Sequence, residues 1–345
     1  MSKPQIISGQ VLVGEELELQ PADVIIEQGS IRSIEENKKA PNLWICPAFY
    51  NAHTHLGDTI AMDCGITGDL VALVTPPNGL KHRILAQATP SELTAGMRSS
   101  IQNMMRRGTA GCSDFREGGI SGIRALRDAA AGLPFHALAF GREGGEATGD
   151  GLGISSVRDV PGAEDQVRAA RAAGKKVAFH AGERDAEDID AALALDPDFI
   201  VHATHATKKQ LRECADRQIP IVVCPRSNWI LGVTSSGRRP PLRQMQSIGC
   251  TILLGTDNVM FVPPDLFGEM AFANLVYKID PVDILRAAVL GSGLSGSPFF
   301  IKTGSKANLF VINPGESGLA CSRNPLASIV RRGASVAVTS NVFNL

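Results

Sequence analysis

The chain has 345 residues, of which 44% are hydrophobic and 20% charged, with 34 Lys and Arg against 35 Asp and Glu. That length suits one large domain plus a smaller unit, and charge that nearly cancels argues against a nucleic-acid surface or an acidic tail. The N-terminal MSKPQIISGQ lacks the apolar core of a signal peptide, and no apolar run reaches about 18 residues. A cytoplasmic protein with a small-molecule partner, and with neither nucleic acid nor membrane as partner, is therefore expected. Assembly into a homo-oligomer stays open.

Residues 4–45 read as short strands with polar turns, QIISGQVLV and then ADVIIEQGSIRSIEE. The last 40 residues look similar, with SKANLFVINP and SIVRRGASVAVTSNVF. Neither end alone could bury much apolar surface, and a lone hairpin is marginal. Pairing of residues 1–48 with 301–345 into one small β-sandwich is the expectation.

Between them, residues 49–300 alternate strand and helix. Strand candidates are WICPAFYNAH, TAGCSDF, FHALAFG, GLGIS, KVAFHAG, DFIVHAT, PIVVCP and TILLGTD. Helical patterns intervene: SELTAGMRSSIQNMMRRG, GIRALRDAAAG, EDQVRAARAAG, KKQLRECADRQ and PPLRQMQSIG. Several end in glycine before the next strand, as helix C-termini do. Eight strands with helices over this length predict an α/β fold of the (β/α)₈ TIM-barrel type. A doubly wound sheet fits less well, because no Gly-rich dinucleotide fingerprint is present. Seven cysteines, at 46, 64, 112, 214, 224, 250 and 321, include no CxxC pair. They read as buried, reduced thiols.

The polar residues worth attention sit at strand ends. His53 and His55 close the first barrel strand and, two apart, project from the same face. His180 ends KVAFH, with Glu183 three residues on; His202 ends DFIVH, with His205 just past it. Asp257 follows the apolar TILLGT and is costly to bury unpaired. At the C-terminal mouth of a barrel these side chains meet. Imidazole and carboxylate suit zinc, iron or manganese, and a divalent ion lowers the pKa of its water to about 7.

These pieces resemble the amidohydrolase superfamily, in the branch containing cytosine deaminase, S-adenosylhomocysteine deaminase and the triazine hydrolases. The resemblance rests on PAFYNAHTHLGDT, HAGE, VHATHAT, CPRSNWILG and LLGTDN in that order, and on the tail IKTGSKANLFVIN. It covers nearly the whole chain. The resemblance implies that His53, His55, His180 and Asp257 ligate one divalent metal, zinc first, with iron or manganese as alternatives. It makes Asp257 also a proton acceptor, Glu183 the proton shuttle to the substrate ring, and His202 a polarising group. His205 is expected either to support the site from behind a ligand or to be structural. Two-metal members of the superfamily carry a bridging Lys or Glu on strand 4. GLGIS has neither, although Glu143 and Glu146 lie just upstream, so one metal is expected.

The segment DLVALVTPPNGLKHRILAQATPSEL (69–93) is expected to form part of a lid over the substrate. Lys81, His82, Arg83, Arg116 and Arg142 are candidates for substrate contact, with a solvated basic turn or ordinary ion pairs as the simpler reading. The function expected is hydrolytic deamination of an aminated pyrimidine, purine or pterin. The alternative is hydrolysis of a cyclic amide or related C–N bond, as in imidazolonepropionase-like enzymes. A binding protein that kept the fold and lost activity is disfavoured, because the ligand set is intact.

Overall fold

Parallel strands covered on both faces are written in near-continuous apolar residues, and the middle of this chain is built from such strands. The computed structural model describes residues 3–65, 70–75 and 78–344. Of the expected lid segment, residues 69, 76 and 77 lie outside the described residues. In chain order the strands are β1 (Gln5–Val13), β2 (Glu18–Glu27), β3 (Ser30–Glu36), β4 (Trp44–Pro47), β5 (Phe49–His55), β6 (Thr109–Arg116), β7 (His136–Gly141), β8 (Gly151–Ile154), β9 (Lys176–Ala181), β10 (Phe199–His202), β11 (Ile221–Val223), β12 (Ile252–Leu254), β13 (Asp257–Asn258), β14 (Asn308–Ile312) and β15 (Val338–Phe343).

β5 to β13 form one parallel sheet in the order β12-β11-β10-β9-β8-β7-β6-β5-β13. β12 and β13 are two halves of one strand, interrupted at Gly255 and Thr256. The first half pairs with β11 and the second with β5, so the sheet curls back onto its first strand. The result is TIM-barrel-like. Gly255 sits where the last strand crosses β5, and a Cβ there would lie 2.9 Å from the backbone nitrogen and oxygen of His53. Any side chain would push the two strands apart.

The helical patterns of the sequence form between the strands, at Pro90–Arg106, Gly119–Ala130, Ala163–Ala172, Lys208–Asp216 and Leu242–Ile248. Four of these lead into Gly108, Gly132, Gly174 and Gly249, all at positive φ, where glycine carries no steric cost. The helix Pro90–Arg106 opens with a reciprocal Thr89–Glu92 capping box and proline at its first position. Inside the barrel, Phe115 stacks on Phe140 and Phe140 meets Phe199 edge-on, with ring centroids 5.2 Å apart in both pairs. Ala52, Val201, Val222 and Leu253 complete this plug.

The chain ends pair, but not as a sandwich. They make a single six-stranded sheet, β15-β14-β4-β1-β2-β3, among the described residues. The reason is β4. It lies parallel to β1 on one side and antiparallel to β14 on the other, so the N-terminal and C-terminal strands join edge to edge rather than face to face. Bridges Val13–Ile301 and Ser30–Lys306 bend the sheet around a core that includes Val11, Val24, Ile31, Ile45 and Leu309. The sheet is fixed to the barrel where Phe310 and Phe267 pack edge-on against Phe49, with centroids at 4.9 and 5.1 Å.

All seven cysteines are free thiols, yet Cys64 and Cys321 are exposed rather than buried. Both lie in irregular segments instead of strands, which accounts for the difference. No helix among the described residues is long and apolar enough to cross a membrane.

Candidate metal and catalytic centre

The C-terminal ends of the barrel strands carry the polar residues. His53 and His55 stand on β5, His180 on β9, His202 at the end of β10 and Asp257 at the start of β13. One donor atom from each of His53, His55, His180 and Asp257 lies within 4.8 Å of the others, and all four residues are buried. The Nε2 atoms of His53 and His55 stand 3.2 and 3.5 Å from Asp257 Oδ1. A second group, Glu183, His202 and Asp257, meets the same distance limit. Asp257 is the member common to both.

The rings are neutral because they are dry. Phe115 packs edge-on against His53 and His180, with centroids at 4.5 and 5.0 Å. Burial drives the His53 imidazole down to about 4 against the pull of Asp257. Burial likewise holds His55 and His180 well below their ordinary value, helped by the charge of Lys81 beside His55 and by His53 beside His180. A neutral imidazole keeps the lone pair that a metal needs.

The outer nitrogens determine which lone pair that is. His55 donates its Nδ1 proton to Glu117 Oε1 at 3.1 Å, and His180 donates its own to the Ile154 carbonyl at 3.0 Å. Both rings therefore turn an unprotonated Nε2 to the centre. Arg142 Nη2 also lies 3.2 Å from His180 Nδ1, but two donors cannot share a proton, so that approach is packing rather than a hydrogen bond. His53 Nδ1 is buried without any hydrogen-bond partner. Three neutral imidazoles, among them His53 with its unpartnered buried Nδ1, and one carboxylate oxygen form a donor set that fits a divalent ion.

Asp257 is held from its far side. Ser227 donates its hydroxyl to Oδ2 at 2.6 Å. Burial opposes the charge on Asp257, but the His53 hydrogen bond outweighs it and keeps the carboxyl well below its usual range. The backbone at Asp257 and at His202 is left-handed, φ 59° and 78°, at a cost of about 1–3 kcal/mol per non-glycine residue. That strain aims both side chains at the mouth of the barrel.

His202 is oriented by Asn228. The Asn228 amide oxygen accepts from Thr204 Oγ1 at 3.3 Å, so its nitrogen donates to His202 Nδ1 at 3.1 Å. The His202 proton is thus on Nε2, facing Glu183 Oε2 at 3.7 Å. That distance is too long for a direct hydrogen bond. Burial raises the Glu183 carboxyl above its ordinary value, although nearby His202 opposes this. A cleft opens above these groups, lined also by Leu70, Thr75, Lys81, Ser155, Asp159 and Arg184.

Of the basic candidates, Lys81 and Arg142 reach the cleft. Lys81 is 3% exposed and ion-paired to Asp58 at 3.0 Å and Glu117 at 2.9 Å. Arg142 donates Nε to the Gly153 carbonyl at 3.0 Å. Arg116 turns away into pairs with Asp114 and Glu117 at 3.2 and 2.7 Å, and His82 faces the Val74 carbonyl at 3.1 Å. Neither Arg116, His82, Arg83 nor His205 lines the cleft. Glu143 and Glu146 bond to the backbone nitrogens of Gly118 and Gly144 instead of entering the cluster. Glu117, Ser227 and Asn228 received no role from the sequence. Only the strand-end position of Glu117 and the CPRSN segment of the other two offered a signal.

A family model described as adenosine deaminase matches residues 151–300. Over 95% of its length the chain is 32% identical to a putative aminohydrolase of Methanothermobacter thermautotrophicus, covering 94% of that protein. It is 25% identical to a 5-methylthioadenosine/S-adenosylhomocysteine deaminase of Halobacterium salinarum, over 89% of this chain and 80% of that one. Among solved structures, an adenosine deaminase of Xanthomonas campestris with bound zinc superposes at a TM-score of 0.79 and 19% identity, covering 97% of this chain and 90% of the other.

Proposed function

The chain belongs to the amidohydrolase superfamily, and from that premise we propose that it is a metal-dependent hydrolase that deaminates an aminated heterocycle: a purine, pyrimidine or pterin. One observation carries the reading. Three neutral imidazoles converge with Asp257, and the same Asp257 meets Glu183 and His202 where these groups line the cleft.

His53, His55, His180 and Asp257 would hold one divalent ion, zinc by preference. That ion supplies the Lewis acidity that makes water a nucleophile near neutral pH. Asp257 is a carboxylate in this environment and takes the proton that the attacking water gives up. Glu183, whose carboxyl is raised above its ordinary value by burial, is the acid that delivers a proton to the ring nitrogen where charge accumulates. His202 presents an Nε2–H donor to the substrate. The amine takes the proton held by Asp257 and departs as ammonia, while the new hydroxyl returns a proton to Glu183, so the ring retains the oxygen of water and both carboxyl groups are restored. The same division between a metal-activated water and a non-ligand Glu serves zinc nucleobase deaminases on another fold. Similarity to the 5-methylthioadenosine/S-adenosylhomocysteine deaminase makes 6-aminopurine nucleosides the first substrates to test.

The test is elemental analysis after mild purification, together with a screen of aminated heterocycles and cyclic amides. About one zinc per chain and ammonia release with an intact ring are expected. Ring opening without ammonia would transfer the chain to cyclic-amide hydrolysis. Two metals per chain would overturn the single-ion assignment.

A further inference from the structure

Helix Leu80–Gln87 lies between β5 and β6 and borders the cleft. A surface helix is ordinarily held by apolar residues on its inner face. Here the only residue of the helix that is fully buried is a lysine, Lys81. Leu80, Ile84 and Leu85 are only half-buried. A charge, rather than a greasy face, anchors this helix.

The partners of that charge are themselves buried and belong to the metal cluster's support. Lys81 Nζ lies 2.9 Å from Glu117 Oε1, the same oxygen that accepts the proton of His55 Nδ1 at 3.1 Å. It also lies 3.0 Å from Asp58 Oδ2, three residues past His55 in the turn that leaves β5. Its distance to His55 Nδ1 itself is 3.2 Å. The ammonium forms ion pairs with these two carboxylates, and His55 Nδ1 gives its own proton to the charged Glu117 oxygen rather than accepting one from Lys81. A proton given to Nδ1 by Lys81 would leave Nε2 protonated and unable to ligate. The arrangement that docks the helix is therefore the one that readies His55.

Resting on the metal site proposed above, we infer that Lys81 is a positioning residue. It docks helix Leu80–Gln87 onto the Glu117–His55 pair, so that docking of the helix and loading of the metal support each other. Coupling of this kind is reciprocal: if the docked helix raises metal affinity, the metal must stabilise the docked helix by the same factor. Partners behind a ligating histidine are typically worth 10- to 100-fold in metal affinity.

Amide exchange of residues 80–87 is measured in the metal-free and zinc-loaded wild-type protein, and zinc affinity is read by competition with a chromophoric chelator. Zinc should slow exchange in that helix by about 10-fold or more. Lys81→Met should remove the slowing and weaken zinc binding by about 10-fold, and Lys81→Arg should recover part of both. If wild-type protein binds zinc but exchange at 80–87 does not change, the coupling is wrong, whatever the variants do. Wild-type zinc affinity in Lys81→Met with the slowing intact would also overturn it. Both outcomes leave the metal site standing. A wild-type protein that binds no zinc removes the metal site and the coupling together.

Discussion

Ser227 and Asp257, 30 residues apart in sequence, are joined by a 2.6 Å hydrogen bond that leaves the other carboxylate oxygen of Asp257 to the histidines. The bond fixes the rotation of the carboxylate and draws electron density from it. A hydrogen bond to a charged group is worth about 1.5–3 kcal/mol, and Asp257 is the assigned proton acceptor. Ser227→Ala should therefore lower kcat by about 10- to 100-fold while zinc content stays near one per chain. Steady-state kinetics and elemental analysis on the same preparation decide it. Zinc lost in proportion to activity would make Ser227 a support of metal retention instead.

Much of this centre could be read in the sequence, and the boundary of what could is physical. His53, His55, His180, His202 and Asp257 each end an apolar strand-like run, and parallel barrel strands bring such ends together whatever the details of packing. Glu117 behind His55, and Ser227 behind Asp257, depend on which strand ends become neighbours and on side-chain direction, which local pattern does not encode. Lys81 shows the difference most clearly. In sequence it belongs to a basic KHR triplet, which reads as a solvated turn. It is buried because two carboxylates from distant segments await it. The terminal sheet was misread for a similar reason: nothing local in WICP says that β4 will insert between β1 and β14.

Acid should act on the metal-free protein through the histidines. The His53 ring titrates near 4 when folded and near 6.5 when unfolded. Its folded value is depressed, so between those values the unfolded state binds more protons, and stability falls as pH falls. The full contribution is present above pH 6.5 and is lost by about pH 4. Burial moves Asp58 up to about 7 and Asp114 up to about 6, which works in the opposite sense over part of this window. A comparison with His53→Gln cancels those terms. Denaturant unfolding of both metal-free proteins at pH 7 and pH 4 should shift their stability difference against wild type by about 3 kcal/mol. A difference independent of pH would mean that His53 titrates normally.

The bond between the terminal sheet and the barrel should be strong and local. Phe310 is fully buried and packs edge-on against Phe49 at 4.9 Å and Phe267 at 6.0 Å. Phe310→Ala should cost about 3–5 kcal/mol, measured by denaturant unfolding of the zinc-loaded protein. Deletion of residues 306–345 removes β14 and β15 together and bares the edge of β4, so that protein should aggregate. A soluble, cooperatively unfolding and active truncation would show that the barrel stands without the sheet.

Glu183 should separate chemistry from binding. It lies three residues past His180, is partly open to the cleft, and is kept out of the four-residue cluster. Glu183→Gln keeps the shape and one acceptor but removes the titrating proton. Zinc content should be unchanged, and affinity for a ring-shaped inhibitor should stay near wild type. The chemical step loses its acid, and general acid catalysis is typically worth about 10²–10⁴-fold, so kcat should fall by at least about 100-fold. The pH profile provides an independent check. Burial raises the Glu183 carboxyl above its ordinary value, so the wild-type rate should decline as pH rises through that raised value and the acid is lost. The variant should not show that limb. Full turnover in Glu183→Gln would remove this residue from the mechanism and pass the proton-shuttle role to His202, whose Nε2–H faces the same space.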